Sequence, residues 1–164
     1  RSAAYALKAY AGMEYGKFSE TNLRDVPVEV FRKFGDRLPE NWRKRAEHWF
    51  GEYARVEKGA EAWRNGDIEA FGQLSFESGR SSIEKWETGS PELKKIYEIM
   101  TRTDGIYGGR FSGAGFKGCC MALIDPSFKE EIFKKVETEY LAEFPDLRGH
   151  YSACICHSAD GVKI

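Results

Sequence analysis

The protein has 164 residues, enough for one domain with a hydrophobic core, or for one domain with an added helical layer. Hydrophobic residues make up 41% of the chain and aromatic residues 14%, which excludes an intrinsically disordered chain. Its 25 basic and 26 acidic side chains leave a formal net charge of -1, so no basic surplus favours nucleic acid or an anionic membrane as a partner.

The first residues predict a helix and then a loop. The chain starts without Met, inside a helical pattern in which Leu7, Tyr10 and Ala11 share a face, so we expect a fragment of a longer protein. Residues 12–26 are polar and contain two glycines, and they predict a loop. No apolar run in the chain approaches the ~20 residues that span a bilayer, so no membrane association is expected.

Three longer helices are predicted before residue 103. In the first, apolar residues recur every three or four positions and predict one stripe of a long helix. The stripe consists of Trp42, Ala46, Trp49, Tyr53, Val56, Ala60 and Trp63. Gly66 breaks this helix, and Asp67 is a good N-cap for the second. Ser90-Pro91-Glu92 opens the third, with Ser as the cap and Pro at the first helical position.

The polar residues on these helices form no recognisable catalytic motif. Glu52 lies among alternating acids and bases on the first long helix, which predicts a solvated face laced with salt bridges. Ser78, Ser81 and Ser82 are small, and they predict close helix packing or a local irregularity. None of these serines has the strand-turn-helix context of a hydrolase nucleophile.

After Gly105 the period of the apolar residues changes to that of strands. Residues 106–111 and 119–124 predict adjacent antiparallel strands with a glycine-rich connection. Asp125-Pro126 starts another helix, and residues 151–156 and 162–164 predict further strands. We therefore expect a single α+β domain over residues 1–164, mainly helical in 1–103 and strand-rich in 104–164.

Four cysteines stand as Cys119-Cys120 and Cys154-x-Cys156, the second pair beside His157. Thiolate and imidazole groups bind zinc well, but paired cysteines at a zinc site are usually two to four residues apart, and neither pair has that spacing. We prefer buried free thiols that act as small hydrophobes, and we assign no metal site. A reduced, cytoplasmic protein is expected.

The most informative stretch runs from Gly108 to Cys120. Gly113, Gly115 and Gly118 satisfy the spacing G-x-G-x-x-G, but a dinucleotide site needs this turn to open a helix, and here a strand-like run follows. A protein-kinase glycine loop lies between strands, but the V-A-I-K, H-R-D and D-F-G elements are absent. What remains is a hairpin connection, either a turn without a ligand or one whose backbone approaches a ligand closely.

This stretch resembles the third conserved motif of GHMP kinases, in the form found in galactokinases. The residues that fit the motif are Arg110, Gly113, Gly115, Phe116, Gly118 and Cys119. Residues 89–93 and 158–162 also match and stand in the right order. Phe111-Ser112, Ala114 and Lys117 depart from the usual galactokinase residues and are similar to the form found in plant galacturonokinases.

The resemblance implies the C-terminal domain of a GHMP kinase, an α+β fold with a ferredoxin-like antiparallel sheet and an added helical layer. It also implies a sugar 1-kinase that uses ATP and Mg²⁺ to phosphorylate galactose or galacturonate. In this family the phosphate loop and the catalytic Asp lie in the N-terminal half, which we do not find in this chain. No catalytic residue is therefore assigned here, and we expect the fragment to be inactive without that half.

A supporting role remains for the glycine-rich connection, which in the family lines the sugar and phosphate region. The residues assigned to it are Ser112, Gly113, Ala114, Gly115, Phe116 and Lys117. Lys117 either pairs with the carboxylate of a uronic acid or is a solvated turn residue. The choice between galactose and galacturonate stays open.

A different class of function is the alternative. The last ~60 residues are compatible with a stand-alone ferredoxin-like domain that binds or senses a small molecule without catalysis. An RNA-binding version needs aromatic residues within an RNP motif on its central strands, and Tyr107, Phe111 and Tyr151 are too few for it.

Overall fold

The computed structural model describes residues 1–157 and contains six α-helices and a two-stranded sheet. In chain order the elements are α1 (Ser2–Tyr10), α2 (Val28–Phe34), α3 (Glu40–Arg64), α4 (Ile68–Glu84), α5 (Pro91–Thr101), β1 (Ile106–Phe111), β2 (Cys120–Ile124) and α6 (Lys129–Glu143). The predicted α+β class is confirmed. None of the described helices has both the length and the apolar character needed to cross a bilayer.

Side-chain caps fix the helix starts that the sequence predicts. Asp67 and Ser90 each accept a hydrogen bond from the backbone N–H three residues ahead, at 3.0 and 3.3 Å. Asp125 accepts a hydrogen bond from the N–H of Ser127 and opens the short 3₁₀ turn before α6. Such caps contribute about 1 kcal/mol each and act locally, which is why the sequence reveals them.

The long helix α3 is confirmed, but most of its large apolar residues are exposed. The exposed fractions are 40% for Trp42, 58% for Tyr53, 69% for Val56 and 58% for Trp63. The residues that α3 buries are the small Ala46, Gly59 and Ala62. The apolar period therefore identified the helix but not the face that packs against its neighbours.

Strands β1 and β2 form an antiparallel hairpin, as predicted. Phe111 pairs with Cys120 at the loop end, and Ile106 pairs with Ile124 at the open end. An irregularity between Ile106 and Gly108 shifts the register by one residue. Helices α4 and α5 both pack against β1, so β1 lies inside the domain, whereas Met121 on β2 is exposed.

The predicted strand at 151–156 is wrong, because this segment forms neither strand nor helix. A strand needs a neighbour for its backbone hydrogen bonds, and β1 and β2 pair only with each other in the described part of the chain. The ring of Tyr151 packs against Tyr140 of α6 instead. Residues 1–157 thus contain two strands, fewer than the four of a ferredoxin-like sheet. The predicted strand at 162–164 and the family match at 158–162 lie outside the described residues.

The backbones of α4 and β1 approach each other so closely that neither has room for a side chain at the crossing. At Gly72 of α4, a Cβ atom would overlap the backbone of Tyr107, and at Gly108 of β1 it would overlap the backbone of Gly72. Any side chain at either position would push the helix and the strand apart, because a backbone cannot move aside as a flexible side chain can. These glycines set the distance between α4 and β1.

We predict that Gly72→Ala destabilises the protein and that Gly59→Ala does not. Both glycines are buried in helices, where Ala is favoured by roughly 0.5–1 kcal/mol. A Cβ on Gly59 would make ordinary contact with Phe71 at 3.6 Å, whereas one on Gly72 would overlap backbone. Overpacking of this kind costs about 1–3 kcal/mol. Urea denaturation of both variants measures the difference, and equal free energies of unfolding would show that the contact does not constrain the fold.

Candidate functional site

The loop between β1 and β2 contains every residue that the sequence assigns to the site. Gly113, Gly115 and Gly118 have φ angles of 66°, 76° and 117°. These values lie in the left-handed region, which glycine enters without the strain that a Cβ adds. The predicted hairpin connection is confirmed, and no helix begins at Gly115. The dinucleotide interpretation therefore fails on structure as it does on sequence.

One face of the hairpin is held by Phe111. Its ring is 1% exposed, and a Cβ on Gly115 would lie 2.5 Å from it, so the loop folds back directly over the ring. Gly89 approaches the same ring from the start of α5. The N–H of Ser90 donates to the carbonyl oxygen of Gly115 at 2.6 Å. The loop is therefore attached both to its own strand and to α5.

The opposite face is held by Arg110. Its guanidinium donates to the hydroxyl of Ser78 on α4 and lies 3.5 Å from a carboxylate oxygen of Glu52 on α3. Ser78 in turn donates to the same oxygen of Glu52 at 2.7 Å. Arg55 donates from its Nε to the other Glu52 oxygen at 2.7 Å. This polar cluster, made of Glu52, Arg55, Ser78 and Arg110, joins α3, α4 and β1.

Glu52 is the negative centre of the polar cluster. Burial acts most strongly on it and by itself raises the pKa of the carboxyl group. The hydrogen bonds from Ser78 and Arg55 and the positive charge of Arg55 favour the ionised carboxylate, and together they outweigh the effect of burial. The pKa of Glu52 therefore lies below its ordinary value. Glu52 is therefore ionised at neutral pH and is balanced by two guanidinium groups.

The predicted site residues differ in exposure. Gly115 is buried, and Ser112 is half-buried and donates its N–H to the carbonyl oxygen of Cys119 at 2.9 Å. The remaining four are exposed: Gly113, Ala114, Phe116 and Lys117. Within residues 1–157, Lys117 makes no salt bridge. The hairpin thus presents the small residues Gly113 and Ala114, the Phe116 side chain at 61% exposure, and one cation without a salt bridge in the described chain.

Sequence reasoning missed Glu52 and Ser78. The salt bridges predicted around Glu52 are present, to Arg55 and Arg110, but the predicted solvation is wrong for this residue, because its side chain is 25% exposed and bonded to Ser78. Ser78 is 6% exposed and lies four residues after Leu74, on the side of α4 that faces the protein. A buried hydroxyl needs a hydrogen-bond partner, and that requirement was the available signal.

The cysteines are all free, and three of them contradict the prediction of buried thiols. Cys119, Cys154 and Cys156 are exposed, the last two because residues 151–157 form no strand. Cys120 is half-buried, and burial raises the pKa of its thiol to about 12. Among residues 1–157, no group of three or more His, Cys, Asp and Glu side chains lies close enough to hold a metal ion.

The family model described as GHMP kinases C terminal matches residues 60–142. This range runs from the end of α3 almost to the end of α6. It includes the whole loop between β1 and β2, residues 112–119, which we call the glycine hairpin. The chain belongs to the GHMP kinase family. The resemblance based on the motif around Gly113 and Gly115 is thereby confirmed.

Sugar kinases are among the relatives that this chain matches. It is 40% identical over 149 residues to a galacturonokinase of Arabidopsis thaliana. The alignment covers 88% of this chain and 35% of that relative. It is 32% identical over 143 residues to a galactokinase of Homo sapiens, covering 87% of the chain and 35% of the relative. The structure of Lactococcus lactis galactokinase complexed with galactose superimposes with a TM-score of 0.74, at 27% identity over 87% of this chain and 36% of that one.

The chain spans 35% to 40% of the length of the relatives it matches. The family model that matches is that of the C-terminal region. The chain therefore corresponds to the C-terminal domain of these sugar kinases.

We predict that Gly115→Ala destabilises the protein more than Gly113→Ala. Both glycines have positive φ, so either change costs roughly 1–2 kcal/mol of backbone strain. At Gly113 an added Cβ meets nothing within 4 Å, but at Gly115 it overlaps the Phe111 ring. We expect an additional loss of about 1–3 kcal/mol for Gly115→Ala, measured as the free energy of unfolding in urea. If the two variants are equally stable, Phe111 does not hold the loop.

Proposed function

We propose that the full-length protein is a sugar 1-kinase that transfers the γ-phosphoryl group of ATP to the anomeric hydroxyl of galacturonate or galactose. The observation that carries this proposal is the glycine hairpin, in which the family motif coincides with positive φ at Gly113, Gly115 and Gly118. Galacturonate is the acceptor that we favour. The higher identity to the Arabidopsis galacturonokinase supports it, as does the exposed cation of Lys117.

In this proposal the chain binds and orients the substrates. Phosphoryl transfer depends on positioning and on neutralising phosphate charge, and little covalent chemistry falls to the protein. The backbone at Gly113 and Ala114 is exposed and carries little side-chain bulk, so it would lie close to the sugar and phosphates. Lys117 would donate to the uronate carboxylate, a charge-assisted hydrogen bond that galactose lacks.

The remaining parts of the machinery would come from outside this chain. A phosphate loop, a catalytic Asp and the ligands for Mg²⁺ are expected in the N-terminal half, the main partner of this domain. When bound, Mg²⁺ would neutralise charge on the phosphates. Since the cysteines are free thiols, we place the enzyme in the cytoplasm.

The direct test is an assay of the purified full-length protein with ATP, Mg²⁺ and a panel of sugars. We expect ADP release that depends on galacturonate or galactose, with the product phosphorylated at the anomeric position. The 164-residue chain alone serves as the control and is expected to release no ADP. Sugar-dependent turnover by that chain would contradict the division of roles, and a full-length protein inactive on every sugar would favour a regulatory domain without catalysis.

The acceptor preference gives a second prediction. Lys117→Gly should lower kcat/KM for galacturonate by roughly ten- to a hundredfold, because a hydrogen bond to a charged group is lost, and it should leave galactose nearly unchanged. Lys117→Arg keeps the cation and is the matched control. Ala114→Gly and Ala114→Ser should also shift the ratio of kcat/KM for the two sugars. If no variant changes this ratio, the loop does not discriminate between the two sugars.

Gly115→Val tests whether the loop lines the site or is only a turn. In the full-length protein we expect it to reduce turnover well beyond what its change in melting temperature accounts for. A loss of stability with unchanged turnover in the folded enzyme would leave the loop a purely structural role.

A further inference from the structure

The polar cluster lies directly behind the strand end from which the glycine hairpin starts. Gly72 and Gly108 bring the backbones of α4 and β1 into contact, so α4 has a fixed position relative to the strand. Ser78 follows on α4 and Arg110 follows on β1, and their side chains meet. The hairpin begins two residues after Arg110, at Ser112.

The hydroxyl of Ser78 joins a cation to an anion. It accepts a hydrogen bond from Arg110 and donates its one proton to Glu52 at 2.7 Å. The direct contact between Arg110 and Glu52 is 3.5 Å, longer than the 2.7–2.9 Å of a good charge-assisted hydrogen bond. Without the hydroxyl, the guanidinium would have no partner at ideal distance in this cluster. The Ser78 side chain itself is buried, at 6% exposure.

Arg110 and Phe111 hold opposite faces of the same strand end. Successive side chains of a strand point to opposite faces, so the guanidinium contacts α4 while the Phe111 ring lies under Gly115 and beside α5. With both faces held, the strand end cannot rotate about its own axis. The direction of residues 112–119 then depends on both anchors.

We propose that Ser78 is a positioning residue for the glycine hairpin: its hydroxyl, held by Glu52, fixes Arg110 and thereby the direction in which the hairpin leaves β1. The catalytic consequence rests on the proposed function, whereas the effect on the hairpin does not. Ser78 touches no reacting group and acts through Arg110.

The chain offers a matched control on the same helix. Ser82 is 4% exposed, one turn after Ser78, and donates its hydroxyl only to the carbonyl oxygen of Ser78 within α4. Ser78→Ala and Ser82→Ala each remove one buried hydroxyl from α4. Each also replaces Ser by Ala, so both variants have the same increase in helix propensity. Only Ser78→Ala disconnects Arg110.

The experiment compares both variants in the full-length protein by amide hydrogen exchange and by sugar kinase kinetics. The diagnostic amides are those of Ser112 and Ser90, which donate to carbonyl oxygens of the loop. We expect Ser78→Ala to speed their exchange about tenfold and to lower kcat/KM by a similar factor. Ser82→Ala should leave both within about twofold of the wild type, because its hydrogen bond stays inside α4.

Three outcomes separate the possibilities. If Ser78→Ala lowers the melting temperature but matches Ser82→Ala in exchange and kinetics, Ser78 only packs and the proposal is overturned. Faster exchange spread evenly over α3, α4 and the sheet would also overturn it, because that is the signature of global destabilisation. If the wild type phosphorylates no sugar but Ser78→Ala still loosens the hairpin selectively, positioning stands and the proposed function fails.

Discussion

The backbone contact between Gly72 of α4 and Gly108 of β1 determines where the polar cluster and the glycine hairpin lie. A helix and a strand that touch without intervening side chains cannot slide or separate without losing packing along both elements. The contact places Ser78 against Arg110 and leaves Phe111 to face α5. Each of these pairs constrains one face of the strand end. The orientation of the glycine hairpin is thus a consequence of helix packing, and the loop sequence supplies only its shape.

This arrangement suits the proposed role, in which the domain presents a loop and the reactive groups come from the rest of the protein. The hairpin has three glycines with positive φ, two of them exposed, and it is held from behind by a partly buried carboxylate and a buried aromatic ring. A phosphoryl-transfer site needs rigid positioning more than it needs covalent chemistry. Membership of the GHMP kinase family and the match to the C-terminal parts of sugar kinases agree with that division.

Features that depend on neighbouring residues could be predicted from the sequence, and features that depend on distant ones could not. The caps at Asp67 and Ser90 and the hairpin turn are local, and they were predicted correctly. The polar role of Glu52 depends on Ser78, which is 26 residues away, so charge patterning alone suggested a solvated face. The segment from residue 151 has a strand-like pattern but no neighbour to pair with in the described chain, and propensity cannot supply one. The exposure of Cys154 follows from the same absence.

The most direct test of this account is a crystal structure of the full-length protein with galacturonate and a non-hydrolysable ATP analogue. The account predicts that residues 112–117 contact the sugar or the phosphates, with the Lys117 ammonium about 2.7–2.9 Å from the uronate carboxylate. It also predicts that the backbone contact between Gly72 and Gly108 is unchanged. A structure in which both ligands bind elsewhere, with the hairpin directed into solvent, would contradict the claim that this domain's glycine loop lines the site.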